Sequence, residues 1–187
     1  MVGLRRSLTT GELWVDAGEY LGPGAVAKLN LIAKEALGAK LPKNCSAMAI
    51  NRNSVSVRHR DSKNLGESVI MSNDSYRDGE FCIEVPDGED EAAVIEVDAR
   101  SAAVVFDGRL AHYNFPSTAN AYGEQDRWTI IIYDYDDDGE LSKGCRKSLE
   151  ALGFRPAPRL PFVENGLGAP SGLSPLEHVL WATQRSH

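Results

Sequence analysis

The sequence predicts a mainly β protein with flanking helices, its strands wound as a jelly roll. Three observations carry this. Residues 46–135 hold short runs of Val, Ile, Phe and Tyr, broken repeatedly by Asn, Asp and Gly. Many short strands with frequent turns favour a sandwich or barrel, and two sheets closing on each other fit that count. Helical patterns lie before and after this region and not within it. The length of 187 residues, with 42% hydrophobic and 25% charged residues, suits one domain with a substantial core.

Taken in order, Gly24 to Gly38 reads as a helix. Val26, Leu29, Ile32, Ala33 and Leu37 recur at helical spacing, and Gly38 is its stop. Ser46 to Val57 reads as one or two strands interrupted by Asn51-Arg52-Asn53. Ser68–Ser72 and Phe81–Val85 are further strands, the second entered through the Asp78-Gly79 turn. Pro86 to Glu91 reads as an acidic loop, followed by strands at Ala92–Val97 and Ala102–Phe106. Asp107-Gly108 turns the chain into Leu110–Phe115, and Pro116–Gln125 is a polar loop. Arg127–Tyr135 carries a continuous Ile-Ile-Ile-Tyr centre, which points to burial on both faces. Asp136–Gly139 is a solvated turn, and Leu141–Gly153 reads as a helix. Arg155–Gly172 is Pro- and Gly-rich covering chain. Ser174-Pro175-Leu176-Glu177 is a helix start for a last helix towards Gln184, with Ser as N-cap and Glu at the third position. The expected organisation is therefore a single domain, 1–187. It has a β core at about 46–135, an N-terminal helix at about 24–38 and a C-terminal helical cap at about 141–187.

Bulk properties remove several function classes. No apolar run approaches the roughly 20 residues that span a bilayer, and no signal peptide follows Arg5-Arg6. The net charge of −7 and pI near 5.1 argue against binding duplex DNA through a general positive field. Cys45, Cys82 and Cys145 form neither a CxxC nor a disulfide framework. They read as reduced thiols of an intracellular, reducing compartment. Gly-x-Ser-x-Gly, P-loop and His-Glu-x-x-His motifs are absent, which leaves a hydrolase without support.

The histidines carry the chemistry. His59 is followed by Arg60 and Asp61. In extended chain, residues i and i+2 share a side, so His59 and Asp61 can reach one metal together. His112 lies on the strand after Asp107-Gly108. Two imidazoles and one carboxylate suit non-haem Fe(II) and leave three coordination positions open. A 2-oxo acid can chelate through two of these, with O2 taking the third. Such a co-substrate has a second carboxylate, for which Arg127 supplies a planar fork of donors. Thr129 shares the face of Arg127 and can add a hydroxyl, while Trp128 belongs to the other face.

The stretch from Asn51 to Tyr135, roughly half the chain, resembles the Fe(II)/2-oxoglutarate-dependent dioxygenase superfamily. The pattern His-x-Asp, distant His, then Arg-x-Ser/Thr reads here as His59-Arg60-Asp61, His112 and Arg127-Trp128-Thr129. Within the superfamily it is most similar to the Tet/JBP-type group. The similar stretches are NRNSVSVRHRDSKNLGESVI, SYRDGEFCIEV and VVFDGRLAHYN. The resemblance implies a double-stranded β-helix, Fe(II), 2-oxoglutarate and O2, with release of succinate and CO2. It offers a methylated nucleobase as one candidate substrate beside a small molecule.

Other residues have two readings. Asn51 or Asn53 could hydrogen-bond 2-oxoglutarate, Asn51 having the strand parity of His59; paired Asn residues also mark a bulge or turn. Asn64 and Ser68 could line the mouth or form a plain loop. Arg58, Arg60 and Lys63 could guide an anion or simply be solvated. Tyr113, Phe115 and Trp128 could stack on a flat substrate or belong to the core. His178 and His187 lack partners at metal spacing. The Leu176, Val179, Leu180 face could be a cap or a dimer contact. The alternative function is a non-catalytic cupin-like or β-sandwich module that binds a metal or ligand.

Overall fold

The structure is a computed structural model. It describes residues 2–6, 13–16, 21–38, 41–87, 91–100, 102–135, 141–157 and 179–180. The chain divides into two compact units, Met1–Ala49 with Ile132–Gly172, and Ile50–Ile131 with Leu173–His187.

In the first unit, β1 (Val2–Arg6) and β2 (Leu13–Asp16) form an antiparallel hairpin. Val2 and Gly3 of β1 also pair with Met48 and Ala47, which open β3 (Ala47–Arg52). Helix α1 runs Pro23–Leu37, with Pro23 in the first turn and Gly38 as its C-cap. Its buried face is Val26, Asn30, Ala33 and Leu37, while Ile32 is exposed. The apolar spacing placed Ile32 on that face, and Asn30 displaces it for a physical reason. The Asn30 amide donates to the Leu152 carbonyl at 2.9 Å, one of the end carbonyls that a helix leaves without an internal partner. That helix is α2, Lys143–Ala151, capped by Ser142, whose Oγ accepts from the Cys145 N–H at 3.1 Å.

The second unit carries the winding. One sheet takes residues 50–52 of β3, then β4 (Asn64–Ser72), β8 (Val104–Asp107) and the first half of β11 (Trp128–Tyr135). Its order is β8, β4, β11, β3, and the two-residue β12 (Val179–Leu180) lies beside β8. The other sheet has the order β7 (Glu91–Val97), β6 (Phe81–Asp87), β9 (His112–Asn114). The extended residues 56–59 run along the free side of β9. Followed in sequence, the chain alternates between the sheets: β3, residues 56–59, β4, β6 with β7, β8, β9, β11. That alternation is the jelly roll, and β4 with β8, β6 with β7 and β6 with β9 all pair antiparallel. A third pairing joins β5 (Arg77–Asp78) to β10 (Ser117–Thr118). Ile70, Phe81, Ile83, Ala99, Val104 and Phe106, drawn from both sheets and the turn before β8, form one buried cluster.

Several boundaries differ from the sequence reading. β4 starts at Asn64, not Ser68, because Glu67 and Ser68 find partners in Asp107 and Phe106. Cross-strand pairing there outweighs the low strand propensity of Asn and Gly. Pro86 and Asp87 continue β6 instead of opening a loop. Beyond Ile83 that strand pairs only with β7, so an absent N–H can be tolerated there. The expected helix towards Gln184 is described only at Val179–Leu180, and there it is a strand. The Asp136–Gly139 turn, most of the Pro/Gly segment, His178 and His187 lie outside the described residues. No helix among the described residues is long and apolar enough to cross a membrane.

Candidate metal centre

Backbone pairing brings the two distant histidines together. The His59 N–H donates to the His112 carbonyl at 3.0 Å, and the His112 N–H returns the bond at 2.9 Å. Residues opposed in this mutual way place their side chains on the same face. The two imidazole centroids are 4.3 Å apart. Two residues on, the Asp61 N–H donates to the Gly108 carbonyl at 2.9 Å, which holds the carboxylate beside the same strand.

The three side chains converge as the i, i+2 argument requires. His59 Nε2 is 3.8 Å from Asp61 Oδ1, and His112 Nε2 is 3.7 Å from Asp61 Oδ2. One donor atom from each residue lies within 4.8 Å of the other two. These gaps are too long for hydrogen bonds. Each imidazole instead donates from Nδ1 to the carbonyl two residues earlier: His59 to Val57 at 2.7 Å and His112 to Leu110 at 2.8 Å. With the proton on Nδ1, each Nε2 keeps its lone pair facing Asp61. This is the orientation that a metal-ligating histidine takes from its outer partner. Two neutral imidazoles and one carboxylate fit a divalent first-row ion.

The ligands differ in exposure. His112 is buried against the rings of Phe106 and Phe81, at 5.2 and 5.7 Å between centroids. Burial pushes the His112 pKa below the usual histidine range, against the opposing pull of the Leu110 carbonyl and Asp61. His59 and Asp61 reach solvent, so one side of the centre is open.

Arg127 lies just before β11 and is only 2% exposed. Its N–H donates to Asn53 Oδ1 at 2.8 Å, and its carbonyl accepts from the Asn53 N–H at 2.8 Å. Asn53, at φ 50°, is thus the turn that seats Arg127. The guanidinium donates from Nη1 to the Phe115 carbonyl at 3.3 Å and lies 5.4 Å over the Tyr76 ring. Its Nε has no hydrogen-bond partner, and no carboxylate among the described residues pairs with it. Gly79, at φ +77°, forms one wall; a Cβ there would approach Nη1 to 3.1 Å. Phe115 directly follows β9, the strand that carries His112, so this bond ties the guanidinium to the same stretch of chain. Thr129 is buried on the face of Arg127, and Trp128 is exposed on the other, as alternation predicts.

The remaining candidates separate. Asn51 is half-buried on β3, with no side-chain hydrogen bond among the described residues. Asn64 and Ser68 are buried and bonded to each other, so neither lines a mouth. Arg58 is taken by Glu84 through two bonds of 2.6 Å, which removes it from any free basic cluster. Trp128 lies under the Arg52 guanidinium at 5.2 Å and donates to Asp126. Tyr113 and Phe115 pack edge-on at 5.7 Å. Sequence spacing passed over Tyr76, whose ring lies beneath both Arg100 and Arg127. It sits in the SYRDG stretch, but no local pattern marks it.

Fold and site together define a jelly-roll protein with a His-Asp-His cluster able to hold one metal ion. No protein-family model matches the chain, and no curated protein matches it either. Among solved structures, the crystal structure of a Pseudomonas putida prolyl-4-hydroxylase matches with 17% sequence identity and a TM-score of 0.36. The match covers 65% of this chain and 68% of that chain. At that level the likeness decides neither fold nor chemistry.

Proposed function

We propose that the chain is an Fe(II)- and 2-oxoglutarate-dependent dioxygenase that oxidises a C–H bond of an organic substrate. The observation that carries this reading is a pair of features in one unit. A buried guanidinium with an unpartnered Nε is held at the Phe115 carbonyl, just past the end of β9, and His112 of the three converging metal-ligand side chains lies on that strand. A structural arginine would ordinarily pair with a carboxylate of the chain itself.

When bound, Fe(II) supplies the redox chemistry by which O2 cleaves 2-oxoglutarate to succinate and CO2 and oxidises the substrate. The protein's own contribution is placement. His59, Asp61 and His112 hold the ion and leave three positions for the 2-oxo acid and O2. Arg127 takes the distal carboxylate of 2-oxoglutarate through charge-assisted hydrogen bonds, with Thr129 as a hydroxyl donor on the same face. A contact from Asn51 to that co-substrate rests on its strand parity with His59. The Phe81 and Phe106 rings keep water from the His112 side.

The finer reading, a Tet/JBP-type enzyme acting on a methylated nucleobase, rests on the three similar sequence stretches alone. A net charge of −7 favours a small molecule or a single base over long duplex DNA. The three free cysteines fit a reducing, intracellular compartment.

Incubation of the purified chain with Fe(II), O2 and 2-oxoglutarate should release succinate, and His112→Ala should stop it. Turnover like that of the wild type in His112→Ala rejects the assignment. If Mn(II) with 2-oxoglutarate leaves the melting temperature unchanged, the non-catalytic binding module becomes the better reading.

A further inference from the structure

Asp61 offers two oxygens, and which one reaches the metal decides how many positions stay open. One-oxygen attachment beside two imidazoles leaves three positions; two-oxygen attachment would take one of them. We propose that Asn64 is a positioning residue that ties down Asp61 Oδ2 and leaves Oδ1 alone for the metal. This inference rests on the metal reading above and deepens it.

Asn64 is 5% exposed. Its Nδ2 donates to Asp61 Oδ2 at 3.3 Å and to Ser68 Oγ at 3.1 Å. Both amide hydrogens are therefore spent, one on the carboxylate and one on an anchor in β4. The Asn64 N–H donates to the Asp61 carbonyl at 2.9 Å, which closes residues 61–64 into a tight turn. The amide cannot swing away without breaking that turn or losing Ser68, itself fully buried.

Gly108 completes the device. Its carbonyl accepts from the Asp61 N–H at 2.9 Å. A Cβ at position 108 would lie 2.5 Å from Asn64 Nδ2 and 3.0 Å from Ser68 Oγ. Real atoms do not approach that closely, so any side chain there must displace the amide. The glycine of the Asp107-Gly108 turn is thus required for space, since its φ lies outside the left-handed region. Oδ1 lies 3.8 Å from His59 Nε2 and Oδ2 3.7 Å from His112 Nε2, so distance does not choose between them; Oδ1 differs in having no hydrogen bond among the described residues. It is the oxygen left for the ion.

The test is Mn(II) titration calorimetry on the full chain as wild type, Asn64→Ala and Gly108→Ala. Co(II) absorption spectra report the coordination, and circular dichroism the fold without metal. Asn64→Ala should weaken Mn(II) binding about 10–100-fold, the usual cost of losing an outer-shell partner. Gly108→Ala keeps every polar group and should weaken it in the same direction. Both should alter the Co(II) ligand-field bands, which a merely structural strut would leave alone. Mn(II) binding within about threefold of wild type in both variants, with unchanged Co(II) spectra, overturns the inference. A wild-type chain that binds no Mn(II) overturns the metal reading, and this inference with it. If Asn64→Ala does not fold, Gly108→Ala alone decides between these outcomes.

Discussion

Arg127 brings a positive charge into the second unit at 2% exposure, with Nε unpartnered and only one carbonyl on the guanidinium. Replacing it by Met keeps a long, flexible apolar stem and removes the charge. The opposing contributions can be weighed. An unsatisfied buried donor costs about 1–3 kcal/mol, and an unpaired buried charge adds further desolvation. The bond to the Phe115 carbonyl returns about 1.5–3 kcal/mol, and the Tyr76 ring about 0.5–2. The two sides nearly cancel, so Arg127→Met without ligand should stay within about 2 kcal/mol of wild type. At this chain length that is a melting shift of at most about 8 °C in either direction. Co-substrate binding behaves differently. At one hundred times its dissociation constant, 2-oxoglutarate should stabilise the Mn(II) wild type by about 2.7 kcal/mol, or roughly 5–11 °C. The variant should show none of that shift. Differential scanning fluorimetry with Mn(II), with and without 2-oxoglutarate, measures both quantities. A preserved 2-oxoglutarate shift in Arg127→Met refutes the anchoring role. A ligand-free melting loss beyond about 12 °C would mean that the guanidinium is structural.

Phe106 is 1% exposed and packs on Phe81 and His112. Phe106→Ala should cost about 3–5 kcal/mol by urea unfolding, and it should weaken Mn(II) binding by loosening the imidazole; an unchanged midpoint would contradict that packing. Asp98 is held below the usual aspartate range chiefly by hydrogen bonds from the Arg100 side chain, against a smaller desolvation penalty. Its folded value lies below its unfolded one, near 3.9. Its stabilisation is therefore complete above that value and disappears as the pH falls through the folded one. Asp98→Asn should cost under about 1 kcal/mol at pH 7, since the pair is partly exposed. The loss should shrink at about pH 3 in parallel urea titrations; a loss that grows on acidification would reverse the sign argued here.

Much of this molecule can be read locally. The alternation of His59 with Asp61, and of Arg127 with Thr129, follows from the two-residue period of extended chain. The stop of α1 at Gly38 follows from cap chemistry, whereas its start at Pro23 and the Ser142 cap of α2 fall one residue from the starts read at Gly24 and Leu141. Local chemistry also allowed wrong neighbours. Ile32 fitted the apolar spacing of α1, yet Asn30 is the residue inside, because a carbonyl 122 residues away accepts its amide. The Asn-Gly-Ser stretch after Asp61 looked like a loop, and strand pairing with β8 made it a buried support. The meeting of His59 with His112 depends on a pairing between segments 53 residues apart in number, and no local period encodes that distance. The isolation of Arg127 from every described carboxylate is likewise a property of packing. Side-chain direction is set by torsions within a few residues; proximity and burial are set by which strands close against each other.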